Sequence, residues 1–395
     1  MGTLPHVGVV GGSIGGLTAA LVLRDLGCEV DVLERSGIAL EARGAGIGLH
    51  PMTTRYFDES SDLDAAMVEI ELPWLQFLSA SGDRIYQERM NYRFSSWNTI
   101  YRGLVRCFDE SRYHLGCEVS GFDQDDRGVT VRLSNGEVHG FDMLVCADGI
   151  SSQARATLLP GAETRYAGYV AWRATVPESE LSRSTFEAFR DSITYSLLPS
   201  GHVLVYPIPN LDGALEPGRR LANLVWYHNY GEGDALDDLM TDRHGQRHGL
   251  SLPPGAVRDE YVAWTKEFAD VHMAPAFAEI LHRTPEPFVQ VIYDIDVERM
   301  AFGRVALIGD AAFAVRPHAA AGTAKACADA WALRDALRDA GGDPVDALAC
   351  WEPGQLALGR QLLARTRDMG DRSQFHRSWV PGDPSLRLGL YGPGR

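Results

Sequence analysis

The chain has 395 residues, 45% of them hydrophobic and 23% charged, an ordinary balance for a soluble globular protein and enough length for two domains. A formal net charge of −16 argues against nucleic acid or an anionic membrane as partner, since both repel it at long range; an anionic cofactor must meet a local favourable patch. Six cysteines, at 28, 107, 117, 146, 327 and 350, show neither a C-x-x-C pair nor zinc-type spacing, and there is no signal-type start and no membrane-length apolar run. A cytoplasmic protein with reduced thiols is the expectation.

Residues 6–10 (HVGVV) predict a short buried strand. "VVGGSIGGLTAA" follows, then Leu17, Ala20, Leu21 and Leu23 recur at helical spacing until Gly27, and "CEVDVLER" is a second strand. Aligned on Gly11 and Gly16, the turn reads G-x-S-x-x-G, with Ser13 where the dinucleotide fingerprint has its second glycine. Alone, this is either a pyrophosphate cradle or a plain strand-to-helix turn. The βαβ context favours the cradle: Gly11 permits the tight turn, Ser13 is small and bears a hydroxyl, and Ile14 and Gly16 lead into a helix whose free N–H groups attract an anion. Glu34, 18 residues beyond Gly16, is spaced to hold ribose hydroxyls, the alternative being a solvated strand-end carboxylate.

Residues 72–90 predict a hairpin, and "VTVRLSNGEVHG" a clearer one turning at Asn135-Gly136. "FDMLVCADG" is a buried strand. Several β-rich stretches between 164 and 229 predict an antiparallel sheet; helices follow over about 256–282, a strand over 288–293, another buried strand in "GRVALIGDAA", and an Ala-rich helix over 323–338. Because βα character leaves near 160 and returns near 304, the first domain is expected to be discontinuous. Residues 1–72, 98–165 and 285–395 would form an α/β, Rossmann-like cofactor domain, and 73–97 with 166–284 an inserted substrate domain.

Two further stretches resemble the second and third signatures of the flavoprotein aromatic hydroxylases, the class A FAD monooxygenases. In "CADGISSQAR" the pattern D-G-x-x-S-x-x-R is met by Asp148, Gly149, Ser152 and Arg155, and "GRVALIGDAAFAVRPHAAAG" supplies Gly309-Asp310. Three motifs in family order over some 310 residues carry the resemblance. "YAGYVAWR", "YPIP" and "RPHAAAGTAKACADA" are similar to the branch containing 2,6-dihydroxypyridine 3-hydroxylase. This implies an α+β, p-hydroxybenzoate hydroxylase-like fold with an inserted antiparallel β-sheet substrate domain. It also implies bound FAD, NADH or NADPH as transient reductant, and O2 transferred through a flavin C4a-hydroperoxide to an electron-rich hydroxylated ring, best a hydroxypyridine. A homodimer is left open.

The resemblance places Asp148 and Asp310 on the flavin, and the backbone of Ala320, Ala321 and Gly322, at the start of the long helix, beside its anionic pyrimidine edge. It puts Pro317 at the reacting centre. His318 either binds substrate or relays a proton, or merely braces its loop. In "GAGIGLH", Leu49 and His50 end a glycine strand suited to pass under the flavin; His50 touches flavin or substrate, or is a loop histidine. Tyr206 and Trp226 are candidates for an aromatic substrate wall, against core packing. Arg35 and Arg43 are candidates for the nicotinamide phosphates. The family's usual D-A-A-H has Phe313 for its histidine, a common asparagine is Ala324, and a common arginine is Tyr101, here expected near the cofactor. A larger phenolic or polyketide-like substrate, or a flavin-binding redox sensor without turnover, are the rival readings.

Overall fold

The computed structural model describes residues 4–40, 46–60 and 65–395. In chain order, the first unit runs β1 (His6–Val10), α1 (Ile14–Leu26), β2 (Glu29–Glu34), β3 (Gly46–Leu49) and α2 (Pro51–Ser60). Then come β4 (Ile70–Leu78), β5 (Arg84–Ser96), α3 (Trp97–Cys107), β6 (Tyr113–Leu115), β7 (Val119–Gln124), β8 (Val129–Leu133), β9 (Val138–Phe141), β10 (Met143–Cys146) and α4 (Gln153–Leu158). The middle of the chain forms β11 (Thr164–Pro177), α5 (Arg183–Phe189), β12 (Ser192–Leu198), β13 (Gly201–Ile208), β14 (Leu221–Asn229), α6 (Asp234–Leu239), β15 (Ser251–Leu252), α7 (Asp259–His272) and α8 (Pro275–Arg283). It closes with β16 (Phe288–Ile295), β17 (Ala301–Phe302), β18 (Val305–Leu307), α9 (Gly322–Asp339) and α10 (Pro344–Gln374).

Apolar runs without alternation make the strands of the first sheet, ordered β17-β18-β10-β1-β2-β6, all parallel except the short β17 edge. Strands from residues 6–10, 143–146 and 305–307 therefore lie side by side, so the three motif turns leave the same end of one sheet. Helix α1 packs on α9, and Gly27, with φ of 111°, ends α1 in the left-handed conformation.

The second sheet has nine strands, ordered β15-β16-β11-β14-β13-β12-β4-β5-β3. Its pairs are antiparallel except β12 with β4, a departure from the purely antiparallel expectation. The boundary expected at 72/73 falls inside β4, and β3 joins this sheet rather than the parallel one. One face packs under α5–α8 around Trp172, Trp226, Phe277 and Leu281. The other faces the α/β unit, with Tyr195, Tyr206 and Tyr227 beside Ala319, Ala321 and Ala324. The site lies between the two sheets.

Candidate active site between the two sheets

At the end of β1, Gly11 has φ of 98°, and a Cβ there would lie 2.4 Å from the Ala147 carbonyl oxygen, so only glycine lets the two turns touch. Helix α1 opens at Ser13, whose side chain makes no capping bond, and no acid stands in the first turn. Its amide groups are left for an anion. Glu34, buried at the end of β2, accepts from Gly12 N and Ser36 N, both at 2.8 Å, so it stiffens the glycine turn it was expected to serve. Gly11, Ser13, Glu34, Arg35, Asp148 and Ala154 line a cavity of about 210 Å³. Ser13, Ala147 and Gly149 also border a second cavity of about 420 Å³, making the two adjoin.

Asp148 Oδ2 accepts from Ala154 N at 3.2 Å, while its Oδ1 is buried with no protein partner. Ser152 caps α4 by accepting from Arg155 N. The Arg155 guanidinium donates to the Ala311 and Ile150 carbonyls at 3.0 and 2.6 Å, which ties the Asp-Gly turn to the Gly-Asp turn. Asp310 is exposed into the larger cavity; the protein walls around it raise its carboxyl by desolvation, and the charges of Lys325 and Arg155 oppose that. Behind it, Gly309 N donates to Asp329 Oδ2 at 2.9 Å, and Lys325 Nζ donates to the same oxygen at 2.7 Å. This Lys325–Asp329 pair, 1% and 0% exposed, was not anticipated, although its i, i+4 spacing in "KACAD" was in view.

Pro317–Ala319 forms a single 3-10 turn and Ala320 adopts φ of 53°, after which α9 starts with an uncapped, acid-free first turn. Ala320, Ala321 and Gly322 border the larger cavity beside Pro317 and His318. His50 does not line it. Its Nε2 donates to the Ala320 carbonyl at 3.1 Å, and burial lowers its basicity, so it is a strut for the strained turn and not a contact group. Leu49 likewise turns into the α/β core, while Gly46, Ile47 and Gly48 border the cavity. Tyr101 also faces away: its hydroxyl accepts from Leu40 N and lies 3.3 Å from the Tyr113 hydroxyl, which donates to Gly12 O. It buttresses the glycine turn from behind. Arg43 lies outside the described residues.

The sheet supplies the opposite wall. Of the two aromatic candidates, Tyr206 borders the cavity and Trp226 does not. Side chains alternate along β14, so Val225 and Tyr227 face the cavity while Trp226 stacks on Trp264 and Phe268 beneath the helices, with ring centroids 5.4 and 4.6 Å apart. Tyr195, His202 and Tyr227 were missed, as were Trp379 and Leu388 from the segment after α10. His318 Nε2 pairs with the Tyr169 hydroxyl at 2.7 Å, and its Nδ1 has no partner. His202 stands 5.5 Å from it between ring centroids. Burial pushes His202 down to about 3 and His318 well below the usual imidazole value, with Arg316 adding to the latter, so both rings are neutral at working pH. Among the described residues, Arg173 is the cation lining the cavity, and it already donates to Gln290 Oε1 and Gly46 O at 3.0 and 3.2 Å.

Residues 166–294 match the family model described as FAD binding domain-like. The chain is 39% identical to 2,6-dihydroxypyridine 3-monooxygenase of Paenarthrobacter nicotinovorans over 98% of its own length and 96% of that protein. It belongs to the FAD-dependent aromatic monooxygenases. The solved 2,6-dihydroxypyridine-3-hydroxylase of Arthrobacter nicotinovorans superposes with a TM-score of 0.93 at 37% identity, covering 99% of this chain and 98% of that one. A salicylate hydroxylase complex at 21% identity and a TM-score of 0.75 shares the fold, over 96% of this chain and 92% of that one.

As an FAD monooxygenase, the chain uses NAD(P)H as electron donor and O2 as co-substrate. Its residues fit FAD: the orphaned Asp148 Oδ1 awaits a donor, and two uncapped helix N-termini open on adjoining cavities. Phe313, which replaces the family histidine, packs on Gly359 with Lys325 Nζ 5.0 Å from its ring centre, so the substitution belongs to the core around the buried ion pair. No helix among the described residues is long and apolar enough to cross a membrane.

Proposed function

We propose that this monooxygenase hydroxylates a hydroxypyridine-type ring. The observation that carries this reading is the cavity lining: two neutral imidazoles and three tyrosines, with the Arg173 guanidinium bonded only to the neutral oxygens of Gln290 and Gly46. Such a lining offers hydrogen bonds to ring oxygens and nitrogen, and the uncompensated Arg173 charge favours a ring that reacts in an anionic oxido form. Among the relatives, one is named for 2,6-dihydroxypyridine, and 6-hydroxynicotinate 3-monooxygenase of Pseudomonas fluorescens, at 24% identity, for a carboxylated ring.

FAD, when bound, supplies the redox chemistry and oxygen activation; the chain's part is to hold, dry and orient. In this reading the α1 N-terminus with Gly11, Ser13, Ile14 and Gly16 holds the pyrophosphate, Glu34 the ribose, and Asp148 and Asp310 the ribityl hydroxyls. The Ala321 and Gly322 amides hold the negative pyrimidine edge, supported by the α9 dipole, while the Ala320 amide, expected to join them, is taken by the Pro317 carbonyl at 2.9 Å and fixes the turn instead. Pro317 fixes the loop beside the ring. His318 and His202 donate to substrate oxygens, which favours the ring's electron-rich oxido form. Tyr206 and Tyr227 close the wall, and Arg35 meets the nicotinamide phosphates. The enzyme acts in the cytoplasm, and a homodimer is compatible with this assignment.

Purified holoenzyme is assayed for NADH and NADPH consumption and for 18O incorporation from O2. Stimulation by 2,6-dihydroxypyridine with labelled product is expected. A tenfold or greater preference in kcat/KM for salicylate, a ring without nitrogen, overturns the hydroxypyridine assignment.

A further inference from the structure

The last turn of α10 reaches across to the substrate wall. His202 Nδ1 lies 2.6 Å from Ser373 Oγ, and that oxygen also accepts from Gln374 Nε2 at 2.9 Å. Ser373 is 4% exposed, Gln374 3% and His202 1%, so water does not substitute for any of these partners. A serine hydroxyl has one hydrogen and two lone pairs. With the Gln374 amide turned so that Nε2 takes one lone pair, its hydrogen finds its acceptor in His202 Nδ1. The imidazole is then left with its proton on Nε2, on the ring that borders the cavity.

We propose that Ser373 is a positioning residue: with Gln374 it locks His202 in the Nε2–H tautomer, so that the wall presents a hydrogen-bond donor and selects rings bearing an oxygen acceptor over rings bearing an amino donor at that place. The opposite tautomer would present a lone pair there and invert the preference. His318 is engaged from the other side, its Nε2 lying 2.7 Å from the Tyr169 hydroxyl; with the phenol as donor, the His318 proton sits on Nδ1, which has no protein partner. The imidazole ring of His202 packs at 4.8 Å from Trp379 and 5.0 Å from Tyr227, so it has no room to flip and carry Nδ1 away from Ser373. Both neutral rings fit a substrate that arrives with its oxygens as acceptors, a requirement that rests on the hydroxypyridine reading; the lock itself does not.

The test uses 15N-histidine-labelled holoenzyme, with His202→Phe assigning the His202 signals and Ser373→Ala removing the lock. Wild type is expected to show a protonated Nε2 and a bare Nδ1, and Ser373→Ala a mixture or reversal. A protonated Nδ1 in wild type, or an unchanged spectrum in Ser373→Ala, overturns the proposal. In calorimetry, Ser373→Ala should weaken 2,6-dihydroxypyridine by about 3–10-fold, the scale of one hydrogen bond, and leave 2,6-diaminopyridine unchanged or tighter. Equal weakening of both ligands marks a merely structural serine and also overturns it. If wild type binds 2,6-dihydroxypyridine not at all, the substrate assignment falls, and the nitrogen spectra still decide the lock.

Discussion

The buried Lys325–Asp329 pair beneath the Gly309-Asp310 turn gives the sharpest energetic prediction. Its side chains are 1% and 0% exposed, and Asp329 Oδ2 also receives the Gly309 amide, whose φ of 60° sets the direction of Asp310. Lys325→Met leaves a buried carboxylate without its cation. Such a loss costs about 3–5 kcal/mol, against about 0–1 kcal/mol for an exposed pair. Replacing both members, Lys325→Met with Asp329→Leu, removes the stranded charge and should recover part of that loss, the Gly309 amide being left without its acceptor. The pH dependence has a definite sign. Burial holds the Asp329 carboxyl above its ordinary value although Lys325 opposes the shift. Its contribution is therefore fully present below the unfolded value of about 3.9 and is lost as pH rises through the folded value. Removing Lys325 moves the folded value further up, so the variant's deficit opens as pH rises and closes toward pH 4. Guanidinium and thermal unfolding of the apo and FAD-loaded protein measure it. A single-variant loss below about 1 kcal/mol at pH 7, or a double variant no better than the single, refutes the idea that this pair is sealed from solvent.

Three further outcomes follow from the same geometry. Gly11→Ala must place a Cβ 2.4 Å from Ala147 O at φ of 98°, and should purify folded but nearly colourless; normal flavin absorbance contradicts the close-approach argument. Trp226→Ala should cost about 3–5 kcal/mol of stability with substrate affinity unchanged, whereas Tyr227→Phe should do the reverse; a raised KM for the tryptophan variant at full flavin loading would return it to the substrate wall. On the outer edge of the parallel sheet, Asp31 accepts from His6, His114 and Arg112, and these partners hold its carboxyl low against the effect of burial. That stability is present above the unfolded value of about 3.9 and lost as pH falls through the folded value, so the gap between wild type and Asp31→Asn should shrink below pH 4; a gap that widens there is inconsistent with the assignment.

What could be read from the sequence was what depends on a few consecutive residues. Gly11 and Gly16, the Asp148 and Asp310 turns and Glu34 each owe their form to a local strand-to-helix junction, and junction chemistry survives without knowledge of the rest of the chain. His202, Tyr227, Ser373 and Trp379 have no such signature, because separate strands, a helix end and the segment beyond it bring them together. The parallel pairing of β12 with β4 is equally silent, since a long crossover leaves no mark in either strand.

The error over Trp226 is of another kind, because it was avoidable by register alone. Directly opposed residues in an antiparallel pair share a face, and along each strand the face changes at every step. Tyr206 opposes Asn223 and Val203 opposes Trp226. Since 203 and 206 differ by an odd number, Tyr206 and Trp226 cannot both face the substrate, and choosing one excludes the other. Given Tyr206 on the cavity, the same parity forces Val225 and Tyr227 to join it and sends Trp226 to Trp172 and Trp264 under the helices. The pocket's aromatic wall is thus a consequence of one hairpin's pairing, and a single-residue slip between β13 and β14 would break up that wall by turning one strand's set away from the ring being oxidised.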